Sequence, residues 1–284
     1  MAVEIKPVTP NKKELKEYVK FGIDLYEGND CFVPPLIFDE IDTLRPDKNP
    51  AFATCEARSF MAWRDGKPVG RITGIINRLV NERSGKREMR FGFVDFIDDD
   101  EVVDELFKAV AEWGRERGMT TMVGPMGFTD MDHEGTLTFG FDELGTQATI
   151  YNYPYYPEQF ERIGLKKDVE WVEYRMTVPD KVPDKYMRIA EIVKNKYNLR
   201  VLKYKSSSKI KAEYGRELFE LFNEAYDQLY GYSPLTPKQI EYYIDKYLPI
   251  IPLEYVSLIV DPEGRLVGAG ISIPSLSRAF QASR

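Results

Sequence analysis

One carboxylate in the sequence is a candidate for acid–base chemistry. Asp95 ends the run Arg-Phe-Gly-Phe-Val-Asp, inside a segment that predicts a strand from Glu88 to Ile97. Alternation along a strand predicts that Phe91, Phe93 and Asp95 share one face. A carboxyl group beside aromatic rings can have a raised pKa and act as a base. The competing interpretation is a strand-end aspartate that reaches solvent or caps the next helix.

The single histidine is a second candidate for chemistry. His133 lies in the polar run Asp-Met-Asp-His-Glu, where an imidazole and three acids could relay a proton or bind a metal. The spacing fits no established metal motif, so we expect no metal, and the competing interpretation is a solvated loop. One histidine also excludes any argument for a Ser-His-Asp triad. Cys31 and Cys55 predict reduced thiols rather than a disulfide framework.

A tyrosine-rich run supplies the remaining candidates. The residues from Tyr151 read Tyr-Asn-Tyr-Pro-Tyr-Tyr-Pro, so two prolines restrict a backbone that presents four phenols. Tyr155 or Tyr156 could donate a proton to a leaving group or shape a pocket for an acceptor. An aromatic plug that packs this loop onto the core is an equally good interpretation.

Periodicity and turn residues predict the elements that must position these side chains. Strands are expected over 4–8, 57–63, 68–79, 88–97, 120–126 and 169–178, with a turn at 81–85. Helices are expected from Thr9 onward, over 36–44, from Asp98 to about Arg117, and from Tyr155 to Ile163. The resulting order is strand, two helices, three strands, helix, strand, helix and strand.

The later part of the chain repeats the start of this order. After the polar linker Asp-Lys-Val-Pro-Asp, residues 185–273 predict a helix and then strand, helix, helix, strand, turn and strand. Arg64-Asp-Gly-Lys-Pro-Val-Gly also resembles Asp261-Pro-Glu-Gly-Arg-Leu-Val-Gly. Internal duplication is the physical interpretation. We expect one domain over 1–180, and a linker helix with the first half of a second domain over 181–284.

A helix ending in Phe160-Glu-Arg-Ile-Gly-Leu, together with the element order and the duplication, resembles the acyl-CoA N-acyltransferases of the GNAT superfamily. The resemblance implies an α/β (α+β) fold with a mixed, mostly antiparallel twisted sheet flanked by helices. It also implies acetyl-CoA or another acyl-CoA as donor and an amine as acceptor. In that family the position of Phe160 often holds a Tyr that protonates the CoA thiolate, which Phe160 cannot do.

The resemblance places the cofactor around Phe96, Ile97 and Phe160. The strand-to-helix junction that usually holds the pyrophosphate reads Phe-Ile-Asp-Asp-Asp-Glu here, without the glycines of the family pattern. Its four carboxylates would repel a pyrophosphate by on the order of 1 kcal/mol per close, solvated contact. A helix cap with dipole-matched acids is therefore the favoured interpretation, and the first domain is expected to be degenerate.

Overall charge and composition limit the classes of partner. The net charge is −7 and the pI is about 5.1, which argue against a general nucleic-acid or acidic-membrane binder. The amino terminus lacks the apolar core of a signal peptide. We therefore expect a cytoplasmic protein. The resemblance implies that its partner is a small-molecule or peptide amine, and it leaves open whether the chain forms a homodimer.

The leading hypothesis is a tandem GNAT-like N-acyltransferase in degenerate or incomplete form. Its first unit would shape the acceptor groove, and its second would bind acyl-CoA through residues beyond this sequence. A non-enzymatic ligand- or peptide-binding module on the same fold is the alternative. Acyl transfer from an aminoacyl-tRNA or a carrier protein is a third, weaker option, and the acidic charge counts mildly against the tRNA donor.

Overall fold

The computed structural model describes residues 2–283, which form two compact units. Residues 2–166 and 275–283 make up the first unit, and Lys167–Pro274 makes up the second. Among the described residues, no helix is both long enough and apolar enough to cross a membrane.

The first unit is built on a five-stranded sheet whose strands lie in chain order. The first four strands pair antiparallel, and the fifth runs parallel to the fourth. These strands are β1 (Glu4–Pro7), β2 (Cys55–Arg64), β3 (Lys67–Asn77), β4 (Glu88–Phe96) and β5 (Thr121–Val123). The mixed, mostly antiparallel sheet confirms the predicted fold class.

Helices flank this sheet and form much of the second unit. In chain order the helices are α1 (Lys12–Asp24), α2 (Ile37–Thr43), α3 (Arg78–Ser84), α4 (Asp100–Glu116), α5 (Tyr155–Arg162), α6 (Asp184–Lys196), α7 (Ser207–Tyr226), α8 (Pro237–Tyr247) and α9 (Ser277–Ala282).

One face of the sheet is covered by α4 and α5. Asp99 caps α4 by accepting a hydrogen bond from the Val102 N–H at 3.1 Å, and the helix then buries an apolar stripe at helical spacing. A Cβ on Gly70 of β3 would lie 2.7 Å from the Leu106 side chain. Glycine at this position therefore lets α4 pack closely onto the strand.

The opposite face of the sheet is covered by α1 and α2. Asn11 caps α1 by accepting hydrogen bonds from two backbone N–H groups, and Leu15, Tyr18 and Val19 are buried beneath the helix. These side chains form an apolar cluster separate from the one under α4. The sheet therefore separates two cores, and polar side chains on the α1 face need partners of their own.

The second unit contains a smaller antiparallel sheet of β6 (Arg200–Leu202), β7 (Val256–Val260) and β8 (Leu266–Ile271). Its α7 and α8 lie between β6 and β7 in the chain, and Thr236 and Gln239 form a capping box at the start of α8. This is the order of strand, helix, helix, strand and strand that opens the first unit.

Two local predictions are wrong. Residues 169–178 form no strand, because no neighbouring strand among residues 2–283 pairs with them and β-propensity alone does not hold a strand in place. The predicted turn at 81–85 lies mostly within α3, which Asn77 caps and Gly85 ends in the left-handed conformation.

Candidate functional site

A bulge in β4 orients the candidate carboxylate. Arg71 of β3 lies opposite Asp95, whereas Thr73 lies opposite Gly92, so β4 has an extra residue between these pairs. Phe93 lies in this bulge with a φ of 45°, a conformation that non-glycine residues rarely adopt. The prediction that Phe91 and Phe93 share a face is wrong, because Phe91 packs in the cluster under α4 and Phe93 in the cluster under α1.

Asp95 belongs to a buried network of three charged side chains. The Arg71 Nε–H donates to Asp95 Oδ2 at 2.7 Å, and the Arg71 Nη1–H donates to Glu40 Oε1 at 2.6 Å. The side chains of all three residues are at most 11% exposed. With two carboxylates and one guanidinium, the network has a formal charge of −1 when all three groups are ionised.

Space for the guanidinium comes from a glycine in α1. A Cβ on Gly22 would lie 2.3 Å from Arg71 Cζ, which is closer than such contacts allow. The Arg71 guanidinium also lies 5.0 Å from the centre of the Tyr18 ring and donates to the Tyr18 carbonyl at 3.3 Å. The first helix therefore determines where Arg71 and its two carboxylate partners lie.

Two tyrosine hydroxyls complete the surroundings of Asp95. The hydroxyls of Tyr26 and Tyr156 lie 3.0 and 3.3 Å from Asp95 Oδ1 and 3.0 Å from each other. The Phe96 N–H donates to the Tyr156 hydroxyl at 3.1 Å. Burial raises the pKa of both tyrosines well above the ordinary value, so both remain hydrogen-bond donors at neutral pH.

The electrostatics of the network suit a proton acceptor. Burial raises the pKa of Asp95, and this effect outweighs the opposing effect of the Arg71 guanidinium. Glu40 contributes a second carboxylate, whose Oε2 accepts no hydrogen bond from residues 2–283. The arrangement can therefore bind a cationic group and take a proton from it.

A small cavity of about 80 Å³ opens beside this network, against the part of β4 that follows its pairing with β5. Its walls include Glu40, Arg71, Asp95 and Tyr156, together with apolar and small residues of the long connection after β5. A space of this size holds a group such as an amine with its neighbouring carbon, since a water molecule takes up about 30 Å³.

The structure places His133 in the wall of the same cavity. Its Nε2 atom lies 3.1 Å from the Gln147 carbonyl oxygen, so the imidazole is held by the loop that carries it. The next residue, Glu134, has a buried Oε1 atom without a hydrogen-bond partner among residues 2–283. Burial and the nearby Asp130 charge raise the pKa of Glu134 to about 8.

The other predicted site residues lie in the core beside Tyr156. The Tyr155 hydroxyl donates to the Phe96 carbonyl at 2.6 Å, and burial raises the pKa of this hydroxyl. Phe96 is fully buried and stacks on Tyr156 with 4.2 Å between ring centres. Phe160 packs on Phe96 and on the rings under α4, while Ile97 contacts the edge of that cluster.

The amino terminus of α4 is filled by the protein's own groups. Asp99 caps the helix and accepts two hydrogen bonds from the Arg64 guanidinium, at 2.7 and 2.9 Å, and Arg64 also pairs with Glu101 at 2.8 Å. Gln159 of α5 donates to Asp98 and Asp100, both at 3.0 Å. The GNAT resemblance of the sequence implies a CoA pyrophosphate here, but these residues do not fit it, because the capping position is taken and carboxylates surround it.

A metal centre is not indicated by the described part of the chain. No group of three or more His, Cys, Asp or Glu side chains is arranged to hold a metal ion within residues 2–283. Both cysteines in that range are free thiols, and burial raises the pKa of Cys55 to about 11.

Sequence reasoning identified Asp95 but missed three residues that surround it. Arg71 had a detectable signal, because a charged side chain inside the apolar strand Val-Gly-Arg-Ile-Thr-Gly-Ile-Ile indicates a buried ion pair. Glu40 lies on a short polar helix and Tyr26 just after α1, and neither has a pattern that marks it. Their roles depend on contacts across 31 and 69 residues of chain.

Comparison with curated proteins identifies two sequence relatives. No family model matches the sequence. Protein YghO of Escherichia coli K12 is 26% identical over 271 residues, covering 95% of this chain and 68% of the relative. Bacterial ceramide synthase of Caulobacter vibrioides is 26% identical over 268 residues, covering 94% and 69%.

A solved structure has the same fold as this chain. A tandem GNAT protein from the clavulanic acid biosynthesis pathway aligns with a TM-score of 0.51 and 13% identity, covering 96% of this chain and 75% of that one. This chain has the GNAT fold. The alignment extends over both units, and the GNAT resemblance of the sequence is confirmed at the level of the fold.

Proposed function

We propose that this protein catalyses N-acyl transfer and that the buried network around Asp95 binds the amine of the acceptor. The observation that carries the proposal is a carboxylate with a raised pKa, held by Arg71 and two tyrosines beside a cavity of about 80 Å³. The GNAT fold and the similarity to a bacterial ceramide synthase support the same reaction class.

Charge is the first reason to assign an amine to this site. Aliphatic amines are cationic at neutral pH, and the network has one more carboxylate than guanidinium groups. Glu40 Oε2 accepts no hydrogen bond from residues 2–283 and lies in a side chain that lines the cavity. It would accept one from an ammonium group beside Asp95.

Proton transfer is the second reason. An amine attacks an acyl carbon only after losing a proton, and a base works best when its pKa lies near the working pH. Burial moves Asp95 in that direction, while the Tyr26 and Tyr156 hydroxyls hold the carboxylate in place. In this proposal Asp95 takes the proton and Arg71 fixes the carboxylate.

The proposed acceptor is the amino group of a long-chain base, and acyl-CoA is the proposed donor. The name of the Caulobacter relative motivates this choice, because a ceramide is a fatty-acid amide of such a base. The amino terminus of α4 has no donor-binding role in the proposal, since Asp99 and Arg64 occupy it.

The test is a steady-state assay of the full-length protein with acyl-CoA and a long-chain amine. Asp95→Asn is expected to lower kcat by about 100-fold or more, the usual scale for loss of a general base. Asp98→Asn is the matched control, because it removes one carboxylate outside the network and should change kcat less than threefold. Equal rates for the Asp95 variant and the wild type would refute the proposal.

A non-enzymatic binding module is the second candidate, and two observations favour it. The α4 amino terminus is filled, and Phe160 has no hydroxyl to protonate a leaving group. Calorimetry with the amine alone distinguishes the two functions. Binding that depends on Asp95, without turnover for any acyl donor, would identify a module that holds amines.

A further inference from the structure

Positive charge is concentrated in one stretch of an otherwise acidic chain. Residues 181–211 contain ten Lys or Arg and two acids, a net charge of +8, whereas the whole chain has −7. The overall charge argues against binding to acidic membranes, but a local basic segment can bind them independently of the net charge. The stretch includes α6, which lies wholly within the second unit.

The α6 helix has an apolar face that the second unit leaves exposed. The helix has no buried residue within the described chain. At 100° per residue, five apolar side chains fall within about 100° of one another. They are Tyr186, Ile189, Ala190, Val193 and Tyr197, where Tyr197 directly follows the helix, and their exposed fractions include 62% for Tyr186 and 54% for Tyr197.

Lysines flank this apolar face on both sides. Lys185 and Lys196 lie along one edge, and Lys194 lies along the other, by the same angular spacing. None of the three forms an ion pair with an acid among residues 2–283, and the Lys196 ammonium lies 4.9 Å from the centre of the Tyr197 ring. Long lysine stems at the border of an apolar face let the ammonium groups reach lipid phosphates while the stems cover apolar surface.

We propose that α6 is a membrane-surface helix that binds anionic lipid. Its 13 residues are about 20 Å long, too short to cross a bilayer but suited to lie parallel to one. Tyrosines on the apolar face favour the interfacial region, and the flanking lysines favour anionic headgroups. The three lysines that flank the apolar face favour an acidic lipid surface over an apolar protein partner.

The experiment measures binding of the full-length protein to sedimented vesicles. Vesicles of phosphatidylcholine alone are compared with vesicles that contain 30% phosphatidylglycerol, at about 0.1 M salt. We expect binding to the anionic vesicles at least tenfold tighter than to the neutral ones, and release at about 1 M salt. The triple variant Lys185→Glu, Lys194→Glu and Lys196→Glu should weaken anionic binding at least tenfold.

A matched control separates local charge from net charge. Lys12→Glu, Lys16→Glu and Lys20→Glu reverse three exposed lysines on α1 and change the net charge by the same amount. This control should bind anionic vesicles within twofold of the wild type. Equal losses in the two triple variants would overturn the assignment to α6.

A second variant tests the apolar face of α6. It also tests whether a second copy of the protein, rather than lipid, binds this face. Val193→Asp should weaken vesicle binding at least tenfold without a change in the circular dichroism spectrum, because Val193 is 41% exposed. Sedimentation velocity is measured in parallel. A dimer that Val193→Asp dissociates, in a protein that does not bind vesicles, would show that a second copy covers α6 and would overturn the proposal.

Discussion

Replacing Arg71 by methionine tests whether the buried network is held by charge pairing. The substitution keeps the length of the stem but removes the guanidinium that lies 2.7 Å from Asp95 and 2.6 Å from Glu40. Two buried carboxylates then lose their partner. Breaking a buried ion pair from one side costs about 3–5 kcal/mol, so we expect a loss of about 4 kcal/mol in the free energy of unfolding.

The companion variant Asp95→Asn should cost less, about 1–2 kcal/mol, because the Arg71 pair with Glu40 survives. The double variant should be more stable than the sum of the two losses predicts, by about 1–3 kcal/mol. Urea unfolding measures these free energies, with the fluorescence of Trp63 and Trp113 as the signal, because both tryptophans lie in the first unit. A Trp171→Phe background removes the signal of the second unit.

The pH dependence gives a second, independent readout of the same variant. Without Arg71, burial should raise the pKa of Asp95 further, so the folded state binds protons that the unfolded state releases. Stability from a carboxyl with a raised pKa is complete below its unfolded pKa and lost as pH rises through its folded pKa. The loss in the free energy of unfolding that Arg71→Met causes should therefore be smaller at pH 5 than at pH 8. A loss below 1 kcal/mol at pH 8, or additive losses in the double variant, would refute the reasoning.

Two further predictions follow from close contacts and from burial. Gly22→Ala should destabilise the first unit by about 1–3 kcal/mol, because its Cβ would lie 2.3 Å from Arg71 Cζ. Gly215→Ala, whose Cβ would have a 3.4 Å contact, is the control and should be neutral or stabilising in urea unfolding. Glu134→Gln should stabilise the protein by about 2 kcal/mol at pH 9 and by little at pH 5. The value at pH 9 is lower than the full pKa shift implies, because solvent screens the partly exposed side chain. The sign follows because the Glu134 pKa is raised to about 8, so stability is lost as pH rises from 4.5 through 8. Thermal melts at the two pH values would contradict this if the gain were equal or larger at pH 5.

Much of the fold was predictable because its signals are local. The stripe of α4 and the caps of α1 and α4 are each encoded within about 20 neighbouring residues, and the repeated order of elements is the sum of such local signals. The GNAT resemblance followed from that order and from the Phe160 motif, and the fold comparison confirms it. The segment 169–178 shows the limit, because β-forming residues without a neighbouring strand stay unpaired.

The candidate site was predictable in part. Asp95 was identified from an aromatic strand, but Phe91 does not share its face, because the bulge at Phe93 switches the two faces of β4 between these residues. A single extra residue reverses side-chain direction along a strand, and no pattern in this run marks its position. The assignment of Asp95 as a base remains a prediction.

The amino-acid order alone specifies most of the helices and strands of this protein, the acids at the start of α4 and the basic, amphipathic character of α6, since each depends on near neighbours in the chain. The packed fold adds the pairing of Arg71 with Asp95 and Glu40 beside a cavity. That pairing joins β3, β4 and α2 across 24 and 31 residues of chain. Such contacts are created when the two faces of the sheet are buried, and burial also sets the pKa of Asp95.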